Sequence, residues 1–272
     1  MTDAILRKLT DLHFSGIIKT LDMRIEQAAK ENMSYAEFLE VLINDENLNR
    51  ARNRHTKLIY QAKFPQHKTM EEFNFNWQPG LNRQEIYSMG TCEFIRRKEN
   101  ITFIGLPGTG KTHLSIAIGI KAIEQGYSVL FTTLADMLDE LYISRADNSF
   151  RQKLKKYSQP NLLIIDEFGL KKLNQTSVDD LYEVVARRYE LSSTIITSNK
   201  EFSEWGKILF DPVLASAILD RFVHHCNFVV IDGDSYRMRE RRTLADPSEA
   251  RKRGRPSKLP DEVSEEVLEY AE

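Results

Sequence analysis

The run GLPGTGKT, Gly105 to Thr112, constrains this chain more than any other stretch, because it fixes a strand before it and a helix after it. The apolar segment Ile101 to Gly105 reads as the strand, and a helical pattern runs from His113 to Gln125. Glycines at Gly105, Gly108 and Gly110 let the backbone curl so that successive N–H groups face a polyphosphate, with Pro107 and Thr109 completing the loop. The helix that follows directs the positive end of its dipole at the same charge, with His113 in its first turn. In such a loop Lys111 neutralises the β- and γ-phosphates and Thr112 ligates magnesium, so ATP and Mg2+ are the expected ligands.

A second constraint lies about fifty residues downstream. LLIIDE, Leu162 to Glu167, reads as a strand buried on both faces that ends in two carboxylates. Burial explains the four aliphatic residues and leaves the acids unexplained. The carboxyl edge of an open α/β sheet is where ligands bind. Asp166 is therefore a candidate for the magnesium shell, and Glu167 for the base that orients an attacking water. TIITSN, Thr194 to Asn199, is a further strand with a polar end, from which Asn199 could hold the lytic water or touch the γ-phosphate; asparagine also ends strands simply by favouring turns.

From residue 101 onward strand and helix patterns alternate, with strands expected at 101–105, 128–132, 162–166, 194–198 and 228–231. That alternation predicts an α/β fold, a mostly parallel five-stranded sheet covered on both faces. The preceding residues 1–75 read as a small helical domain: Leu6, Leu9, Leu12, Ile17, Leu21 and Ile25 recur at helical spacing, broken near Gly16. Ser34 with Glu37 and Thr69 with Glu72 form capping-box signatures. Residues 76–100 read as a linker into a core at 101–236. Beyond it the composition changes: residues 237–258 hold nine Lys or Arg against three acids, and 261–272 hold six acids and no base, the pattern of a flexible tail rather than a packed lid. Two cysteines, Cys92 and Cys226, have no metal-type spacing. No apolar run is long enough to span a bilayer, and the N-terminus lacks a secretory pattern, so the expected location is cytoplasmic.

The loop, the acid-tipped strand and Asn199, in this order, resemble the AAA+ ATPases, with Asn199 in the place of the first sensor. Asn199 to His225, NKEFSEWGKILFDPVLASAILDRFVHH, and the DGDSYRMRE that begins at Asp232 resemble the IstB family, ATP-binding helpers of insertion-sequence transposition related to the DnaC helicase loaders. The resemblance implies that Arg221 of LDRF is an arginine finger reaching a neighbouring subunit's γ-phosphate, and that Arg237 of SYR is a second sensor. It also implies self-assembly into a ring or helical oligomer, with a transposase encoded alongside as partner. The short segment after the last strand agrees with a core lacking a C-terminal lid domain, and leaves less support for the sensor role of Arg237.

Three basic stretches are candidates for double-stranded DNA. Arg50, Arg54 and Lys57 share a face if 50–63 is helical. Arg145, Arg151, Lys153, Lys155 and Lys156 fall between the second and third strands, where the initiator and loader branch of AAA+ proteins carries a DNA-facing helix. Arg253 and Arg255 flank Gly254 in RKRGRPSK, which resembles an AT-hook for a narrow minor groove. All three address phosphate or groove width, so binding is expected to be salt-sensitive and sequence-tolerant. Three competing readings are a replicative helicase loader, a DNA-binding scaffold that binds ATP without appreciable turnover and, from another class, a small-molecule kinase. No arginine-rich substrate lid supports the kinase.

Overall fold

The computed structural model describes residues 3–233, 235 and 236. Five strands, β1 (Asn100–Gly105), β2 (Val129–Thr133), β3 (Leu162–Phe168), β4 (Ser193–Ser198) and β5 (Cys226–Ile231), form one sheet in the order β2-β3-β4-β1-β5. Every pairing is parallel. All five expected strands are present, each within two residues of its predicted start.

The sheet separates two apolar layers. In β3 the pleat sends Leu162 and Ile164 to one layer and Leu163 and Ile165 to the other, all 0–1% exposed, which is why the sequence runs aliphatic without alternation. Burying each such side chain contributes about 2 kcal/mol. The first layer is built around α6 (Lys111–Glu124), the helix that follows the phosphate loop. The second is built by α7 (Leu134–Ala146), α8 (Phe150–Ser158), α9 (Gln175–Arg188), α10 (Phe202–Ile208) and α11 (Pro212–Val223).

Three helices open the chain: α1 (Asp3–Asp11), α2 (Ser15–Glu31) and α3 (Tyr35–Ala62). The helical pattern does break, at residues 12–14 between α1 and α2, and just beyond it Gly16 is closely packed inside α2. A Cβ there would lie 2.7 Å from the Glu46 backbone, and the buried Glu46 carboxylate accepts the Gly16 and Ile17 N–H groups at 2.6 and 3.2 Å. Ser34 and Glu37 form both bonds of the expected capping box at the start of α3.

The boundary between helical region and core is less sharp than the sequence suggests. At 28 residues α3 is about 42 Å long. Its first half packs on α2, while Leu58, Ile59 and Ala62 near its end join the first core layer. The stretch 76–100, expected to be a linker, carries α4 (Arg83–Met89) and α5 (Glu93–Arg97), and Ile86, Met89, Cys92, Phe94 and Ile95 are buried in that same layer. Apolar residues at those positions needed a partner surface, and α6 with β1 supplies it. Thr69 and Glu72 also form reciprocal bonds, at 3.0 and 3.3 Å, yet no α-helix follows. The chain passes instead into a short 3-10 turn at Phe75–Trp77, and Phe73 packs on the phosphate loop.

Candidate nucleotide-binding site

The phosphate loop leaves β1 at Gly105 and enters α6 at Lys111, at the carboxyl edge of the sheet. Gly108 and Gly110 have φ of 83° and 101°, the left-handed region in which a side chain is strained. Thr109 is buried and closes the turn by donating to the Leu106 carbonyl at 2.9 Å, while Pro107 is exposed at the rim. The Lys111 ammonium folds back over the loop and donates to the Gly105 and Leu106 carbonyls, each at 2.8 Å. A cation is thus held at the mouth of the loop, beside the N-terminus of a 14-residue helix.

Asp166 reaches this loop from β3. Its two carboxylate oxygens accept from the Thr112 hydroxyl at 2.9 and 3.1 Å, and one also accepts from Thr197 on β4. The β3–β4 register is irregular between Ile165 and Phe168, and that irregularity holds Asp166 and Glu167. Glu167 takes a left-handed backbone, φ 61°, and gives its N–H to the Thr197 hydroxyl at 3.1 Å. Strain of this kind costs on the order of 1 kcal/mol and persists where neighbours enforce it. It leaves the two adjacent carboxylates in different surroundings: Asp166 is buried on Thr112, whereas Glu167 is exposed. A cleft of about 660 Å³ opens beside them, lined by both acids and by Thr132, Thr133, Asp136 and Glu140. The hydroxyl and carboxylate of Thr112 and Asp166 are hard oxygen donors, so the pair fits Mg2+ and ill suits a soft metal.

Sequence reasoning passed over Thr197, although it carried a signal. A polar residue only 2% exposed in a buried strand needs a buried partner, and here it has two. The aromatic surround of the loop was missed as well. Phe73 sits against Gly110, where an added Cβ would lie 2.5 Å from its ring. His113, expected to touch nucleotide, bonds the Thr69 carbonyl at 2.8 Å and meets the Phe73 ring edge-on at 5.4 Å; burial pushes its pKa down. Tyr236 gives its backbone N–H to the Gly108 carbonyl at 2.9 Å and packs its ring 4.3 Å from that of Trp77.

A phosphate loop, a threonine–aspartate pair and this strand order occur in many nucleotide-binding proteins, and the whole-chain sequence decides among them. The profile of the IstB-like ATP binding protein family matches residues 7–244. This chain belongs to that family. It is 42% identical over 231 residues to a protein from Geobacillus stearothermophilus that carries the name ATP-binding protein of insertion sequence IS5376, covering 85% of this chain and 92% of that one. It is 38% identical over 240 residues to the corresponding IS21 protein of Pseudomonas aeruginosa, covering 88% and 89%. Among solved structures the fold is similar to that of DnaI, TM-score 0.53 at 20% identity over 60% of this chain and 90% of that one. It is also similar to AMPPCP-bound DnaA from Aquifex aeolicus, TM-score 0.52 at 20% identity over 68% and 56%. The fold is that of the P-loop AAA+ proteins.

In this IstB-like chain the WG…DPV…ILDRF string is largely folding chemistry. Trp205 is 1% exposed and stacks on Phe168 at 4.2 Å, Phe222 is in the core, and Asp211 caps α11 through the Val213 and Leu214 N–H groups, with Pro212 in its first turn. Asn199 follows β4 directly, half-buried, at the edge between the strands of Asp166 and of the loop. Arg221 is held by contacts within the chain, donating to the Ala217 carbonyl at 3.0 Å and lying 5.2 Å over the Tyr182 ring. It stands just before β5, at the amino edge of the sheet. One six-residue strand, about 20 Å, separates that edge from the loop.

The basic stretches divide once their partners are visible. Lys153, Lys156 and Tyr157 all bond Glu140; Arg145 pairs with the buried Asp180 and stacks on Phe150 at 4.2 Å. Arg151 and Lys155 on α8 are exposed and make no ion pair among the described residues. On α3, Arg50 pairs with Glu46 at 2.6 Å and covers Phe14, Arg54 donates to the Gly126 carbonyl at 3.3 Å, and Lys57 is exposed. Arg237, Arg253 and Arg255, and with them the sensor, hook and tail, lie outside the described residues.

Proposed function

We propose that this protein is an ATP-hydrolysing assembly protein that binds double-stranded DNA and assists a transposase encoded alongside it. The ATP-hydrolysing part of the reading is carried by one observation: Thr112 and Asp166 are bonded at the mouth of the loop, while Glu167 stands beside them exposed on a cleft. Lys111 turns from the loop carbonyls to the β- and γ-phosphates, and the amides of residues 108–112 hold their oxygens. Magnesium held by Thr112 and Asp166 would supply positive charge that offsets the phosphate charge. Glu167 accepts the proton of the attacking water, which Asn199 helps to orient. Arg221 is too far from its own loop to help, so it serves the loop of a neighbour, and turnover depends on assembly. A head-to-tail contact of this kind closes into a ring or continues as a filament.

The names of the relatives support the transposition role, and the exposed Arg151, Lys155 and Lys57 support contact with phosphates. The test is ATP hydrolysis against protein concentration, with and without duplex DNA, followed together with particle size by light scattering. Specific activity that rises steeply as particles grow on DNA is expected. Turnover independent of both concentration and DNA would overturn the reading.

A further inference from the structure

At the edge of the sheet opposite the nucleotide site, two histidines and a glutamate converge. Glu190 follows α9, His224 ends α11, and His225 precedes β5; one ligand atom from each lies within 4.8 Å of the others, and all three side chains are exposed. We propose that Glu190, His224 and His225 form a binding site for a late first-row divalent cation of the Zn2+ class.

The donor chemistry selects the metal. Two imidazoles and one carboxylate suit Zn2+, Co2+ or Ni2+, whereas Mg2+ prefers an all-oxygen shell such as that of Thr112 and Asp166. Three protein ligands leave a tetrahedral ion one position for water. The metal of the nucleotide site and the metal of this site are therefore chemically distinct.

The backbone holds the three donors from separate anchors. His225 accepts the Asn100 N–H at 2.6 Å, which ties it to the start of β1. His224 gives its backbone N–H to Asp220 at 3.1 Å, and its Nδ1 lies 3.2 Å from the Tyr189 hydroxyl. With Nδ1 donating to that oxygen, Nε2 carries the lone pair, and the ring is oriented by a neighbour outside the ligand set, as metal-bound histidines usually are. The two rings are 4.1 Å apart at 54°, so neither blocks the other by flat stacking. Glu190 has φ 58°, a left-handed turn that returns the chain just after α9. A tetrahedral site with bonds of about 2.0 Å sets its ligands roughly 3.3 Å apart, so binding requires the donors to close in from a spacing of up to 4.8 Å, and all three side chains are exposed.

The ion would bridge the ends of α9 and α11. Arg221 lies three residues before His224 on α11 and is stacked on Tyr182 of α9, so occupancy would fix the pair of helices that holds this arginine. The site itself does not depend on the proposed ATPase cycle and is tested without nucleotide.

The experiment uses the untagged full-length chain, free of nucleotide and Mg2+. ZnCl2 is titrated by calorimetry, and CoCl2 is followed by visible absorption. One saturable site is expected, with the intense Co2+ bands of tetrahedral nitrogen-containing ligation. His224→Ala, His225→Ala and Glu190→Gln should each weaken binding by about tenfold or more. Zn2+ should raise the melting temperature of the wild type and not that of His224→Ala. Circular dichroism checks that the variants are folded, and Glu190→Gln, a surface change, serves if a histidine variant is not. No saturable binding below about 100 μM, or binding unchanged in folded variants, would overturn the site; weak Co2+ absorption of the all-oxygen type would assign the ion to carboxylates elsewhere and overturn it too.

Discussion

Replacing Thr197 by valine tests whether the bulge on β3 is held by a single hydroxyl. The two side chains have nearly the same shape, so the change leaves no cavity and isolates the polar contacts. Thr197 is 2% exposed and has two partners: it donates to the Asp166 carboxylate, itself 6% exposed, and accepts the Glu167 N–H at 3.1 Å. A hydrogen bond to a charged group contributes roughly 1.5–3 kcal/mol, and a stranded amide costs about 1–3 kcal/mol. Thr112 still donates to Asp166, so the low end of the first range applies. The sum is about 3 kcal/mol, or roughly 6–12 °C in melting temperature for a domain of this size. Thermal unfolding by circular dichroism reads that loss, and ATP turnover by phosphate release reads the displaced Glu167. Thr197→Ser, which keeps the hydroxyl, should restore most of both. If Thr197→Val melts within about 2 °C of the wild type and hydrolyses ATP normally, the hydroxyl does not hold the bulge.

Lys111→Ala should abolish binding of a fluorescent ATP analogue, whereas Arg221→Ala should bind it normally yet lose DNA-stimulated turnover; normal hydrolysis by the Arg221 variant would exclude its acting on a neighbour. Charge reversal at Arg151 and Lys155 together should weaken duplex binding at least tenfold and flatten its salt dependence, measured by fluorescence anisotropy, because those two cations are exposed. For Glu140, burial alone would raise the pKa, but hydrogen bonds from Lys153, Lys156 and Tyr157 overcome it and bring the carboxyl from its ordinary 4.5 to about 2. The stability this contributes is complete above about pH 5 and is lost as pH falls toward 2, roughly 2 kcal/mol after allowance for partial exposure. Urea unfolding between pH 7 and 3 should therefore show a steeper acid loss in the wild type than in Glu140→Gln. Arg188 is buried, has no carboxylate partner among the described residues, and donates to Thr194 and to the Tyr157, Ser158, Pro160 and Ser193 carbonyls. Arg188→Met should cost about 3 kcal/mol in urea unfolding by stranding those acceptors.

The sequence by itself determined the sheet, the loop and the acids at its edge. Each is written in contiguous residues: a run of aliphatics must be buried on both faces, glycines at Gly108 and Gly110 permit a left-handed backbone, and a carboxylate directly after LLII calls for a polar partner at the strand's end. Local chemistry also determined the start of α3, because Ser34 and Glu37 are three residues apart and close their bonds within one turn. Tertiary structure decided what depends on partners distant in the chain. Glu140 is 16 residues from Lys156, and Asp180 is 35 from Arg145; the cation pattern of α8 could not reveal that Lys153 and Lys156 are neutralised while Arg151 and Lys155 are not. The same holds for the segment 83–97, whose apolar residues count as core only once α6 and β1 lie against them. It holds for Thr197, whose hydroxyl has meaning only beside the bulge of β3. Glu190 and the two histidines, 34 and 35 residues away in the chain, become neighbours because α9 and α11 pack on one face of the sheet and end at the same edge.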